Sequence, residues 1–291
     1  MKRVYIERER RIAPIKTLCA IIHPSHQKIF MKPNADDAYG RLMVLKYLIS
    51  HSYRSIPSQY SKEVIDSWTD AEREHFEREV EKEKTFIISS MKSFDVWDYA
   101  TESEKDLISA LGSKIDIDSL VNASWKMEAA VTLMWALNLL DKFPDIDEQA
   151  SPELLKIVEI KKLGLISNGF ALRPHDEIDK VRRIMELWHW RVNTRRLIED
   201  NYDFHPDDNM KQDGINHLDD IVKRTAKTAN SNGDIIKIID EDFVFKERAF
   251  RDLNNDEFNE ATSIIIERHY ALNWLCGYAP KNNWDETPTD T

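Results

Sequence analysis

Ionisable side chains fall among apolar ones at helical spacing in three stretches of this chain. Trp125, Glu128, Thr132, Trp135 and Leu139 share one stripe at steps of three and four, which sets a carboxylate among aromatic rings. Phe258, Ile265, His269, Leu272 and Cys276 form a second stripe that contains an imidazole. Beside it, Ile264, Arg268, Ala271 and Leu275 carry a guanidinium. Ile184, Leu187, Arg191 and Thr194 line up next to Trp188, with His189 at their edge. A buried charge without a partner costs several kcal/mol, so Glu128 inside the fold must meet Arg268, Arg191, Arg173 or a protonated histidine. One reading is a polar pocket between three helices, built from Glu128, Arg173, His189, Arg191, Arg268, His269 and Asn273. A carboxylate and imidazoles shielded from water suit proton transfer or hydrolysis. The competing reading is an ion-pair and hydrogen-bond network that fixes helix register, since structural networks perturb charges as sites do.

Other chemistry has little support. His23 and His26 offer two imidazoles without an acidic or cysteine companion, so a solvated loop is expected and no metal site. His269 and Cys276 lie seven residues apart, about 10 Å along a helix, too far for a thiol–imidazole dyad. Cys276 therefore reads as a core thiol. Cys19 is the other cysteine, and two distant cysteines make neither a disulfide framework nor a zinc site. The chain lacks HExxH, GxSxG, a Walker loop and GxGxxG, and no cofactor is expected.

The elements that must position these groups are mostly helices. Residues 33–37 look like a helix start, with Ala38, Leu42, Leu45 and Ile49 following at helical spacing. Thr69-Asp70-Ala71-Glu72 and Thr101-Glu102-Ser103-Glu104 fit capping boxes. Asp118 opens a helix expected to run toward Leu140 and to stop at Phe143-Pro144; being apolar on most sides, it belongs mid-domain. Ser151-Pro152 opens another, closed by Gly164. A long helix starts at Arg173-Pro174 and ends near Ile198. A polar connection over 201–214 precedes an amphipathic helix through Leu218 and Val222. Phe243-Val244-Phe245 suits a small strand, and a final helix spans about Phe258 to Cys276. Ile15 to Ile22 is short, apolar and partly β-branched, as a strand would be.

The fold expected is thus mainly α: a single multi-helix, orthogonal bundle-like domain over 33–291, with an N-terminal appendage over 1–32 that contains a strand. Only 7 glycines among 291 residues favour helices over a sandwich or barrel. A net charge of −11 disfavours nucleic acid and anionic membranes as partners and suits a basic protein partner or a small ligand. The charged start lacks a signal-peptide apolar stretch, and no run is long enough to span a bilayer, so a cytoplasmic location is expected.

Four stretches carry a family resemblance. They are Trp125-Lys126-Met127-Glu128 leading to Trp135-Ala136-Leu137 and Phe143-Pro144; Leu172-Arg173-Pro174; Trp188-His189-Trp190-Arg191; and Glu267-Arg268-His269-Tyr270-Ala271-Leu272-Asn273-Trp274-Leu275, closing with Trp284-Asp285 and Thr289-Asp290-Thr291. Together they resemble the bacterial domain-of-unknown-function family number 4272, with a similarity expected from about residue 33 to the end. The family's usual arrangement has a glycine where this chain has Asn138. It also has an acidic-plus-cysteine segment where this chain has Glu148-Gln149-Ala150. The resemblance implies a helical, soluble, intracellular protein and supplies no activity. The expected function is therefore non-catalytic interaction or ligand binding through an acidic surface, and the alternative is an acid–base or hydrolase-like enzyme using the Glu/His/Arg pocket.

Overall fold

A computed structural model describes residues 30–55, 66–109, 117–158 and 170–289. The strand expected over 15–22, Cys19, His23, His26 and Gly164 lie outside these residues. The chain is mainly α. Its helices are α1 (Ala35–Ser55), α2 (Asp70–Ser93), α3 (Glu102–Ser109), α4 (Ile117–Trp125), α5 (Met127–Ala136), α6 (His175–Glu199), α7 (Asp208–Gln212), α8 (Leu218–Asn232) and α9 (Asn255–Leu275). A small antiparallel sheet, ordered β1-β2-β3, joins Ile238–Ile239, Asp242–Phe245 and Arg248–Ala249.

Helix starts follow the expected caps. Thr69 and Glu72 close a reciprocal box on α2, and Thr101 and Glu104 do so at α3; Asn254 and Glu257 close a further box, not among the expected ones, at α9. Six of the described helices end on one device, a left-handed residue just past the last turn. Asp95, Asn138, Asn201, Gly214, Gly233 and Gly277 all have positive φ. Each hands the next N–H back to a carbonyl of the final turn, as Leu139 does to Met134 at 2.9 Å and Tyr278 to Asn273 at 3.1 Å. With so few glycines, Asn and Asp take half of these positions, since their short polar side chains tolerate that conformation.

The helix expected from Asp118 to Leu140 is a correction. It breaks at Lys126, where a tighter turn joins Lys126 N–H to Ala123 O, and it ends at Ala136. Asn138 at φ 58 stops it before Phe143-Pro144 can. The segment opened by Ser151-Pro152 is a 3₁₀ turn over Pro152–Lys156, with the Ser151 hydroxyl accepting from Glu153 N–H.

α5 is buried along its whole length, between α1 on one side and α9 on the other; α9 also packs on α6, and α1 on α4. The sheet covers part of α8, and Phe243 and Phe250 meet Trp188 of α6 edge-on at 5.1 and 6.1 Å. One contiguous cluster of buried apolar side chains runs from Ala38 to Trp284. Gly40 is required where α1 crosses Tyr99, because a Cβ there would stand 2.5 Å from the ring.

Candidate functional site

Glu128 and Arg268 meet in the middle of this core, both with no exposed surface. α5 and α9 bring them together. Glu128 Oε2 accepts from Arg268 Nε at 2.9 Å and lies 2.8 Å from Nη2, while Oε1 accepts from Ala150 N–H at 2.8 Å. Arg268 also donates from Nη1 to the carbonyls of Pro144 and Asp145, and from Nη2 to that of Glu148. All three guanidinium nitrogens thereby find an acceptor. The pair staples the 144–150 loop onto the helices. Burial pushes the Glu128 carboxyl above its ordinary value, against the pull of Arg268 and the Ala150 N–H. Beside it, Lys126 Nζ lies 3.0 Å from Glu267 and over the Tyr270 ring.

His189 of α6 and His269 of α9 face each other, Nδ1 to Nδ1 at 2.9 Å, with rings 5.2 Å apart and edge-on. One nitrogen must donate and the other accept. Nε2 of His269 is buried without a partner. A bare lone pair there leaves no stranded N–H, so we assign the shared proton to His269. Burial, with Arg196 nearby, holds His189 down to about 3. Burial, His189 and Arg182 hold His269 well below its ordinary value. Both rings are neutral at pH 7.

The remaining candidates sit elsewhere. Arg191 does not reach Glu128. Its Nε and Nη2 each donate to Asp242 at 2.7 Å, a fork-to-fork pair with Asp242 fully buried. Burial alone would raise the Asp242 carboxyl. Arg191 and the N–H groups of Phe243 and Arg251 outweigh it and hold that carboxyl below its usual range. Arg173 lies at the far end of α5, donating to the carbonyls of Trp135, Leu140 and Asp141 and to Glu177. Asn273 turns to the C-terminal segment and donates to Pro288 O at 2.9 Å. The expected single pocket is thus a correction. Two pairs form among the candidates, Arg191 takes a carboxylate on the sheet, and Arg173 and Asn273 serve backbone carbonyls, because each long polar side chain bonds the nearest acceptor in its reach.

Asp242 was the residue missed, though its place directly before Phe243-Val244-Phe245 was a signal: an acid flanking an apolar strand needs a cation. Arg41 and Glu104, also missed, form a buried pair, with Arg41 donating further to Tyr99 O. Arg195 holds the carbonyls of Phe250 and Leu253. Cys276 is a buried thiol pushed up to about 12, as a core cysteine should be. Among the described residues, no three His, Cys, Asp or Glu side chains gather as a metal would need. A groove of about 380 Å³ lies by α8, lined by Asp213, Gly214, Ile215, Asp220, Lys223, Arg224 and Lys227. None of the candidate residues lines it.

Compared with known families, residues 61–210 match the domain of unknown function DUF4272. The chain belongs to this family. The DUF4272 match takes in the Trp125, Leu172 and Trp188 stretches. It is shorter than the similarity expected from residue 33 to the end, and the Glu267–Leu275 stretch lies beyond it. No curated protein and no solved structure matches the chain. No helix among the described residues is long and apolar enough to cross a membrane.

Proposed function

We propose that this protein is a non-catalytic binding protein that engages a basic protein partner through its acidic surface. The observation that carries this reading is the closure of the Glu128–Arg268 pair. Every polar atom of both side chains has a partner within the protein, so neither side chain is presented to a substrate. The neutral histidine pair is likewise closed at its facing nitrogens. Charge lies outside instead. From residue 197 to 210 there are five acids and no lysine or arginine, and Asp200, Asp203, Asp207 and Asp208 are all exposed. Such a surface steers a cationic partner and weakens with salt.

Two measurements test the reading. Full-length protein is assayed against general ester and phosphate hydrolase substrates beside a folded Glu128→Gln variant. We expect no turnover above buffer from either; turnover by the native chain that the substitution abolishes would establish the enzyme reading. Partner capture from the native extract is then compared between the native chain and Asp203→Lys/Asp207→Lys. We expect a captured basic protein, lost in the charge-reversed variant and at 0.5 M salt. Capture indifferent to both changes would reject the acidic surface as the docking face.

A further inference from the structure

Residues 279–289 run back as a strap over α9 and α1. Most of the grip is on the strap's backbone. Trp274 Nε1 donates to Asn282 O at 3.0 Å, Asn273 Nδ2 to Pro288 O at 2.9 Å, and the Tyr270 hydroxyl to Trp284 O. These three donors occupy adjacent positions on one helix. One strap side chain is read closely: Trp284, buried with its ring 5.0 Å from Tyr270, 5.3 Å from Trp274 and 4.9 Å from the Arg41 guanidinium. Next to it, Ser103 donates to Asp285 at 3.0 Å. Side-chain donors that meet successive carbonyls around one aromatic anchor are the means by which a groove holds a peptide.

Two observations mark the strap as an incomplete occupant of its seat. Asn273 Oδ1 and Arg41 Nε, in residues 1% and 2% exposed, have no hydrogen-bond partner beneath it. Buried groups of this kind are nearly always matched, so the seat has recognition capacity the strap does not use. The strap also enters through Lys281 at φ 51, a left-handed conformation that is unfavourable for a lysine.

We propose that this seat is a peptide-binding groove, filled in cis by the chain's own strap, and that a partner's segment bearing a tryptophan followed by acids displaces it. The strap supplies the chemistry of the ligand: Trp284 is followed by Asp285 and Glu286. The inference concerns a different face from the acidic surface above and stands without it. The probe is a synthetic peptide of residues 279–289, titrated into the full chain carrying Trp284→Ala. One-to-one binding is expected, with a raised melting temperature and at least tenfold weaker binding of the same peptide with its tryptophan replaced by alanine. A folded Trp284→Ala chain that does not bind the peptide overturns the proposal. Should that chain fail to fold, hydrogen exchange on the native protein decides. Strap amides exchanging at least tenfold faster than those of α9 support independent opening, and equal rates refute it.

Discussion

At the scale of the residue, the Glu128–Arg268 pair in this core is matched in charge and at every polar atom. Glu128→Leu leaves Arg268 buried with an unmatched charge, and we expect a loss of about 3–5 kcal/mol in chemical denaturation. Melting like that of the native chain would contradict the paired, buried geometry. Replacing both Arg191 and Asp242 by Met and Leu should cost less than Asp242→Leu alone, because the single change strands the guanidinium; a double variant that is the worse of the two would show that the fork contributes net stability. The histidine pair links stability to pH. His189 is held from 6.5 down to about 3 in the fold, so the unfolded chain binds more protons between those values. Its contribution is complete above pH 6.5 and is lost as pH falls toward 3, on the order of 4–5 kcal/mol at full titration. His189→Asn should flatten the slope of stability against pH across that window, and an unchanged slope would remove this histidine from the linkage.

At the scale of the element, helix ends decide where the staples fall. α5 ends at Ala136, and just past it the left-handed backbone of Asn138 closes the turn while its amide donates to Ala171 O at 2.8 Å. Arg173 then takes the carbonyls just beyond it. Glycine fits the same backbone. Asn138→Gly should therefore change the melting temperature little, whereas Asn138→Val should cost about 1–2 kcal/mol, because a β-branched side chain resists positive φ. Equal melting of the two variants would argue against a left-handed residue at this turn. The caps at Thr69 and Thr101 could be read in advance, since a cap is a local pattern. The break at Lys126 could not be; there the Lys126 ammonium bonds Glu267, which lies 141 residues away.

At the scale of the whole molecule, the acidic excess and the surface ion pairs oppose one another. Most pairs on α2 are exposed neighbours on one helix, such as Arg78–Glu74 and Lys82–Glu79, each worth little. A net charge of −11 repels itself. Raising salt from 0.02 to 0.2 M should thus raise the melting temperature by a few degrees, because screening relieves the net repulsion more than it weakens such pairs. A fall would show that the exposed pairs dominate. The same charge balance sets the partner class proposed for the 197–210 surface.

Periodicity and caps told most of the helices, the small strand and the inward turn of Glu128, Arg268, His189 and His269, because those depend on neighbours within a turn or two of chain. Which partner each buried charge takes was another matter. Arg191 chose Asp242 over Glu128, and Arg173 and Asn273 went to loop carbonyls, through contacts between residues dozens of positions apart. Only the packed fold fixes which unsatisfied carbonyl lies within a guanidinium's reach, and that distance separates a network from a pocket.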